Sequence, residues 1–146
     1  MALNPEYIQI GDDIIKAAYK VRNNLSRYLR EDYYEAALTR ELEKLNHKVE
    51  RQVAIPAVYD GQIVDNPYKA DLLVDGRVII ELKALSQMGE REMRQILTYL
   101  SLTNIHLGYL INFGARDFKF GRAKDPLPYK MGLYRVVNNM EDYPNW

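Results

Sequence analysis

The spacing of hydrophobic residues along this chain changes from a helical period to strand-like runs. Apolar residues three and four positions apart predict one helix around residues 14–25 and a second around residues 34–45. After these helices, apolar and polar residues alternate over residues 49–57. This alternation predicts a strand that ends at the turn sequence Tyr59-Asp60-Gly61. Two helices are therefore expected to precede the first strand.

The rest of the pattern predicts more strands and one more helix. Two strands are predicted at residues 68–74 and 77–85, followed by a helix at residues 89–103. A further strand is predicted at residues 107–113 and a short one at residues 133–137. Asp75-Gly76 is the turn signal between the first two strands. The helix is expected to bury a stripe of Met93, Ile96, Leu97 and Leu100. The order of elements predicts an α/β fold in one domain, residues 1–146.

Cysteine is absent from the 146 residues, which limits the kinds of metal site that the chain could form. Disulfides and thiolate metal sites are excluded. His47 and His106 are far apart in sequence, which argues against a zinc site built from histidines. Any metal would be held by carboxylates, the ligands that suit Mg²⁺ or Mn²⁺.

The sequence gives no sign of membrane contact. No basic region followed by an apolar run is present at the start, so a signal peptide is not expected. No apolar stretch approaches the roughly 20 residues that span a bilayer. These features predict a cytoplasmic protein. The formal net charge is zero, so the overall charge does not indicate a nucleic-acid partner.

One segment departs from this balance of charge. Residues 115–135 contain Arg116, Lys119, Arg122, Lys124, Lys130 and Arg135 against Asp117 and Asp125. The segment is either a basic face for nucleic acid or an ordinary solvated surface. Three of the twelve tyrosines, Tyr129, Tyr134 and Tyr143, could stack on bases, pack in the core or form an interface with a second copy or a protein partner.

Two charges interrupt the predicted strand at residues 77–85, which is otherwise apolar on both faces, as in a central strand covered on both sides. Glu81 and Lys83 are two residues apart, so their side chains leave the same face of the strand. Each buried charge is costly unless it is paired or bound to something. A structural ion pair of Glu81 with Lys83 or Arg77 is the simplest explanation of these residues taken alone.

Asp71 changes this interpretation, because a turn can bring its carboxylate back to that of Glu81. Converging carboxylates repel each other unless a divalent cation lies between them. Lys83 could then orient or deprotonate a water, or stabilise charge on a phosphate. Gln95 and Tyr99 share one face of the predicted helix, away from its apolar stripe. That face is either part of the same site or an ordinary solvated one.

Two segments, YKADLLVDGRVIIELKALS and RQILTYL, resemble the PD-(D/E)XK nuclease superfamily. Gln95 and Tyr99 match the QxxxY element of its RecB-like branch. More narrowly, the chain is similar to the GxxExxY proteins over about residues 14–122. This similarity rests on residues 31–38, 51–61, 70–74, 81–84 and 110–113.

The resemblance implies a mixed central sheet flanked by helices, with a catalytic site on it. Asp71 and Glu81 would bind the metal, helped by the main-chain carbonyl of Leu82, and Lys83 would be the catalytic lysine. Gln95 would position the lysine or the substrate.

Three further residues receive roles from the resemblance. Glu31 would be an additional catalytic and metal-binding acid that reaches in from the helical layer. Tyr34 would have a structural or substrate-binding role, and Tyr99 would lie on the substrate side. The glycine of the GxxExxY motif falls at Tyr28, so the turn before Glu31 must be made differently.

The sequence therefore predicts a Mg²⁺- or Mn²⁺-dependent nuclease that acts on DNA in preference to RNA. The main alternative is a non-catalytic module of the same fold that binds nucleic acid or a partner protein. A structural subunit with a buried ion pair is the third hypothesis.

The metal site also predicts the register of one hairpin. A two-residue turn at Asp75-Gly76 would place Asp71 opposite Ile80 and on the face away from Glu81. The site therefore requires a three-residue connection over residues 75–77, or a bulge that shifts the register. One face would then carry Leu72, Val74, Ile80 and Leu82, and the other Asp71, Leu73, Ile79, Glu81 and Lys83.

Overall fold

A computed structural model describes residues 4–122 and 126–138 of the chain. Its elements are, in chain order, α1 (Pro5–Asn24), α2 (Glu31–Lys44), β1 (Val49–Ile55), β2 (Val58–Tyr59), β3 (Gln62–Ile63), β4 (Tyr68–Val74), β5 (Val78–Lys83), α3 (Glu90–Thr103), β6 (Leu107–Asn112), β7 (Asp117–Arg122) and β8 (Met131–Val137). The predicted α/β fold is confirmed. No helix in the described residues is long and apolar enough to cross a membrane.

Within the described residues, six strands form one mixed sheet in the order β1-β4-β5-β6-β8-β7. The pairs β5–β6 and β7–β8 are parallel, and the other neighbouring strands are antiparallel. Side chains of α1 and α2 pack on one face of the sheet, and side chains of α3 pack on the other. β5 is therefore covered on both faces, which explains its continuous apolar sequence.

The first turns of α2 and α3 each carry acids that favour the start of a helix. In α2 these are Glu31 and Asp32, which interact favourably with the positive end of the helix dipole. In α3 the Glu92 carboxylate accepts a hydrogen bond from the amide of Gly89 at 2.9 Å. These local interactions fix where both helices begin relative to the sheet.

The β4–β5 hairpin has the predicted three-residue connection. The paired residues are Val74 with Val78, Leu73 with Ile79 and Leu72 with Ile80. Asp75 and Gly76 both have left-handed backbones, with φ of 54° and 65°, and the Arg77 amide donates to the Val74 carbonyl at 3.0 Å. This register places Asp71 opposite Glu81, so the prediction for the two faces is confirmed.

The structure also contains strands that the sequence pattern does not predict. The strand predicted over residues 49–57 ends at Ile55, because Pro56 has no amide hydrogen to continue the ladder. β2 and β3 then form a short hairpin around Asp60-Gly61. β7 is an edge strand with mostly exposed residues, so it lacks the apolar alternation by which a strand is recognised.

The buried face of α3 differs from the predicted one. Tyr99 is 2% exposed and packs with Met93, Ile96 and Leu100, whereas Leu97 is 37% exposed. The predictions that Leu97 belongs to the buried stripe and that Tyr99 lies away from it are therefore wrong, and the alternative of an ordinary solvated face is excluded for Tyr99. The two residues flank the stripe on opposite sides, and the sheet covers the side on which Tyr99 lies.

The residues near the end of the chain have structural contacts. Tyr129 and Tyr134 are buried, with ring centroids 5.1 Å apart, so both pack in the core. Arg135 donates a hydrogen bond to the hydroxyl of Tyr109 at 3.0 Å. Lys124, Asp125 and Tyr143 lie outside the described residues.

Candidate active site

Two acidic side chains converge where β4 and β5 lie side by side. The Asp71 amide donates to Glu81 Oε1 at 3.3 Å, and the Leu82 amide donates to Asp71 Oδ2 at 2.7 Å. Glu81 is only 2% exposed, and Asp71 is half-buried. The hairpin therefore brings the two carboxyl groups together on the face of the sheet that α3 covers.

The electrostatic environment of Glu81 opposes its ionisation. Burial and the neighbouring Asp71 carboxylate raise the pKa of Glu81 to about 9. The positive charge of Lys83 and the Asp71 amide act in the opposite direction but do not outweigh them. A carboxyl group in this position keeps its proton because its charge would be neither solvated nor neutralised. The pair would therefore ionise more readily with a cation bound beside it.

Lys83 extends from β5 next to Glu81, and residues of α3 fix its position. The Lys83 Nζ lies 3.7 Å from Glu81 Oε2 and donates to Gln95 Oε1 at 2.5 Å. Gln95 Nε2 in turn donates to the Tyr99 hydroxyl at 2.8 Å. Burial and the charge of Glu81 raise the pKa of Tyr99, so its hydroxyl keeps its proton. This chain of hydrogen bonds holds the ammonium beside the two acids.

A structural ion pair explains only part of this arrangement. Arg77 contacts the Glu6 carboxylate, so the hypothesis that Arg77 is the partner of Glu81 is wrong. The 3.7 Å separation of Lys83 and Glu81 exceeds the roughly 2.8 Å of a charge-assisted hydrogen bond. The short contact of the lysine goes to Gln95 instead. Lys83 is therefore a loose ion-pair partner of Glu81, without a direct hydrogen bond to its carboxyl group.

Gln52 of β1 is a site residue that the sequence analysis did not single out. Its neighbours Arg51 and Val53 pair with Leu72 and Ala70, on either side of Asp71. The Gln52 Nε2 donates to Asp71 Oδ1 at 3.1 Å and to Glu35 Oε1 at 2.5 Å. Glu35 is buried on α2, and its other oxygen accepts from Arg51 at 2.9 Å. Gln52 therefore ties the Asp71 carboxylate to the helical layer. The signal for this role is a cross-strand position, which becomes visible only when the register is known.

The segment that follows Lys83 is held by the end of β6. Asn112 is fully buried, and its amide group makes hydrogen bonds to both the N–H and the carbonyl of Leu85, at 2.9 and 3.0 Å. The Phe113 amide donates to the Lys83 carbonyl at 2.9 Å. A Cβ on Gly114 would lie 2.5 Å from the Leu85 carbonyl oxygen, so a side chain does not fit there. These residues fix the backbone on which the lysine stands.

Glu31 lies at the rim of the site. Partial burial and the nearby Asp71 raise the pKa of Glu31, and Lys83 lowers it. Among the described residues, however, no three histidine, cysteine, aspartate or glutamate side chains are grouped so that they could hold a metal ion. The structure therefore does not bring Glu31 together with Asp71 and Glu81 as a third direct ligand.

Tyr34 lies in the core, which favours the structural role over the substrate-binding role among the two expected for it. It is fully buried and stacks on Phe113 with ring centroids 4.7 Å apart, so its ring cannot contact a substrate. Its hydroxyl donates to the Ser26 carbonyl and accepts from the Leu29 amide, which stabilises the turn before α2. Tyr28, at the position of the motif glycine, is 80% exposed in this turn.

The residues present fit a hard divalent cation. Asp71 and Glu81 offer carboxylate oxygens, and the main chain of Leu82 lies beside them. Mg²⁺ commonly binds through one or two carboxylates, and waters and substrate phosphates complete its ligands. Mn²⁺ suits the same oxygen ligands. A pair of carboxylates is therefore enough, without a complete cage of protein ligands.

An open groove of about 490 Å³ reaches this site from the surface. Its walls are formed by the first turns of α3 on one side and by residues of α2, β4 and β5 on the other. The lining residues are Glu31, Tyr68, Lys83, Leu85, Arg91, Glu92, Arg94, Gln95 and Thr98. The lysine and the glutamine are therefore accessible to a molecule in the groove.

A sequence model of the PD-(D/E)XK nuclease superfamily matches residues 8–123, which is most of the chain. The chain therefore belongs to the PD-(D/E)XK nuclease superfamily, whose members are usually nucleases and typically use Mg²⁺ or Mn²⁺. This membership supports a nuclease-like function, with a nucleic acid as substrate. Neither the curated proteins nor the solved structures contain a significant match to the chain.

Proposed function

We propose that this protein is a Mg²⁺- or Mn²⁺-dependent nuclease that hydrolyses phosphodiester bonds in DNA, in preference to RNA. The observation that supports it most is the convergence of Asp71 and Glu81 beside Lys83 on one hairpin. Two carboxyl groups that converge at a half-buried position are costly for folding. Their placement is explained if they serve to bind a cation.

Each residue has a distinct part in the proposed reaction. Asp71 and Glu81 hold the divalent ion, and the main-chain carbonyl of Leu82 supplies a further oxygen. When bound, the metal polarises a phosphate oxygen and lowers the pKa of a water molecule. Lys83 orients that water or stabilises the charge that develops on the phosphate. Gln95 keeps the lysine in place through its 2.5 Å hydrogen bond.

Two of the expected residues act at the edges of this site. Tyr99 is buried and accepts a hydrogen bond from Gln95, so we assign it to positioning that side chain instead of to substrate contact. Glu31 remains an additional acid at the rim, where it faces the charge of Lys83.

The hydrogen-bonded series Lys83, Gln95 and Tyr99 supports a place in the RecB-like QxxxY branch, because it gives both residues of that element a part in holding the lysine. Glu31 at the rim and Tyr34 in the turn support the narrower assignment to the GxxExxY proteins. Both assignments are part of the proposal.

The test is incubation of the purified protein with labelled DNA and RNA in the presence of Mg²⁺, Mn²⁺ or EDTA. We expect cleavage with either metal, faster on DNA than on RNA, and none in EDTA. Intact substrates in both metals would contradict a nuclease and favour the non-catalytic module. Equal cleavage in EDTA would contradict the metal dependence.

A further inference from the structure

The surface around the candidate site contains a track of cations and exposed tyrosines that the catalytic residues do not explain. From it we propose that the substrate is single-stranded nucleic acid, which lies along the groove with the reacting phosphate beside Lys83. This inference rests on the proposed nuclease function and specifies the form of its substrate.

The depth of the site favours a single strand. Glu81 is 2% exposed and the Lys83 side chain 17%, so the reacting groups lie below the surface. The groove above them holds about 490 Å³, the size of a site for a small ligand. A duplex is stiff, with a persistence length of about 50 nm, and carries both strands together. A single strand can bend so that one phosphate enters the groove.

Cations of α3 lie on one side of the reacting groups. Arg91 is exposed on the groove wall, and its side chain has no hydrogen bond or ion pair with any described residue. Arg94 makes only a solvent-exposed pair with Glu90 at 3.2 Å, which is weak and easily exchanged for a phosphate. Both guanidinium groups can therefore contact the backbone of a nucleic acid.

Acids in the groove limit where phosphates can lie. The Glu92 carboxylate caps α3 through its hydrogen bond with the Gly89 amide, so it is already engaged. Glu31 lies at the rim opposite α3 and near Lys83. The positive charge is thus confined to Lys83 and the arginine side of the groove. Such a narrow track suits the few phosphates of one strand and not the broad backbone of a duplex.

A second cavity adjoins the groove at Leu85. It has a volume of about 270 Å³ and shares Leu85 with the first. Arg27 and Tyr28 line it, and the guanidinium lies 4.9 Å from the centre of the tyrosine ring. The track therefore continues past Leu85 into the second cavity, where Arg27 supplies a further cation.

Exposed tyrosines occur in both halves of this track. Tyr68 is 47% exposed and lines the first cavity, and Tyr28 is 80% exposed and lines the second. Bases that are not paired can stack on such rings, and this combination of cations with aromatic side chains is typical of proteins that bind single strands. In a duplex the faces of the bases are not available. The aromatic residues therefore distinguish a single strand from a duplex.

The experiment measures binding and cleavage in parallel. Binding of labelled single-stranded and duplex DNA of about 20 nucleotides is followed by fluorescence anisotropy in EDTA at several salt concentrations. Cleavage of the same two DNAs is followed in Mn²⁺. The variants are Arg91→Gln, Tyr68→Leu and Arg40→Gln. Arg40 is an exposed arginine on α2 that lines a different cavity, so its variant is the matched control.

We expect the single strand to be bound and cleaved at least about tenfold better than the duplex. Arg91→Gln should weaken its binding severalfold and lower the slope of log affinity against log salt by about 0.7, the effect of one phosphate contact. Tyr68→Leu should weaken binding about fivefold or more without changing that slope. Arg40→Gln should have neither effect.

The outcomes separate this inference from the proposed function. Equal or better binding and cleavage of the duplex would overturn the single-strand inference and leave the nuclease in place. Selective binding of single strands that depends on Arg91, without cleavage, would support the inference and overturn the proposed catalysis. Failure to bind or cleave either DNA would overturn both.

Discussion

Two pairs of acids lie near opposite ends of the same hairpin, and they differ in how their charge is balanced. At the turn, His47 lies between Asp75 and Asp13, with ring nitrogen to carboxylate distances of 2.6 and 2.7 Å. Burial alone would lower the pKa of His47, but the two aspartates raise it above its ordinary value. The imidazolium therefore donates a hydrogen bond to each aspartate and offsets part of their charge within the protein.

Among the described residues, no cation is hydrogen-bonded to Asp71 or Glu81 in this way. Lys83 is 3.7 Å away and is held by Gln95, and the pKa of Glu81 rises to about 9 in spite of it. In the structural cluster around His47, a cation of the protein is hydrogen-bonded to each acid. A pair of acids that lies beside an open groove, without a cation hydrogen-bonded to either carboxyl group, is suited to bind a cation from outside. The difference separates a structural cluster from a candidate catalytic site.

Replacement of Lys83 should have the largest effect. Lys83→Ala should lower Mn²⁺-dependent cleavage by about a hundredfold or more, because a charged group beside the reacting phosphate is lost. The variant should stay folded, although truncation of a side chain that is only 17% exposed should lower the melting temperature by a few degrees. Cleavage rates and melting curves of both proteins check this. Wild-type cleavage by the folded variant would remove Lys83 from the mechanism.

Replacement of His47 should show the opposite pattern. His47→Gln should destabilise the protein by about 2 kcal/mol, because Asp13 and Asp75 then lose their shared cation. Cleavage below the melting temperature should stay close to that of the wild type. Urea unfolding and cleavage assays measure the two quantities. A loss of activity without a loss of stability would show that the two clusters are not separate in function.

Replacement of Gln52 should have a smaller effect, which is confined to the affinity for the metal. Gln52→Ala removes the hydrogen bond that orients the Asp71 carboxylate, and residues of this kind change metal affinity by about tenfold. Titration with Mn²⁺ measures that affinity independently of cleavage. Gln62→Ala, on the exposed strand β3, is the matched control and should leave it unchanged. Equal affinity of the Gln52 variant would assign this glutamine a purely structural role.

The stability of the metal-free protein should fall between pH 5 and pH 8. The folded pKa of Glu81, about 9, is above its ordinary value, so its contribution is fully present below about 4.5 and is lost as the pH rises toward 9. The pKa of His47 is also raised, so its contribution to stability is likewise lost as the pH rises above about 6.5, the ordinary pKa of histidine. Melting curves of Glu81→Gln and His47→Gln at both pH values separate the contributions of the two residues. Each variant should show a smaller pH dependence than the wild type.

Local sequence signals predicted the elements that carry the site. The apolar run with Glu81 and Lys83 predicted a covered central strand, and β5 is one. The need to place Asp71 and Glu81 on one face predicted the three-residue connection at Asp75-Gly76, which the register confirms. The requirement that both acids lie on one face of the sheet therefore predicted the register, which the turn sequence alone does not decide.

Features that depend on distant neighbours were not predictable from the sequence. Gln52 reaches Asp71 only through the pairing of β1 with β4. Tyr99 is buried because the sheet covers its side of α3, which helical spacing alone does not decide. β7 gains its place by pairing with β8 at the edge of the sheet, with little burial to mark it in the sequence.

The central claim, that Asp71 and Glu81 form a site for a divalent metal, is tested most directly by calorimetric titration of Mn²⁺ near pH 7.5, in buffers of different ionisation enthalpy. Glu81 is largely protonated at this pH, since its pKa is about 9. Mn²⁺ should therefore displace close to one proton as it binds. The account predicts this release in the wild type and its loss, with weaker binding, in Asp71→Asn and Glu81→Gln. No binding by the wild type, or equal binding by both variants, would contradict it.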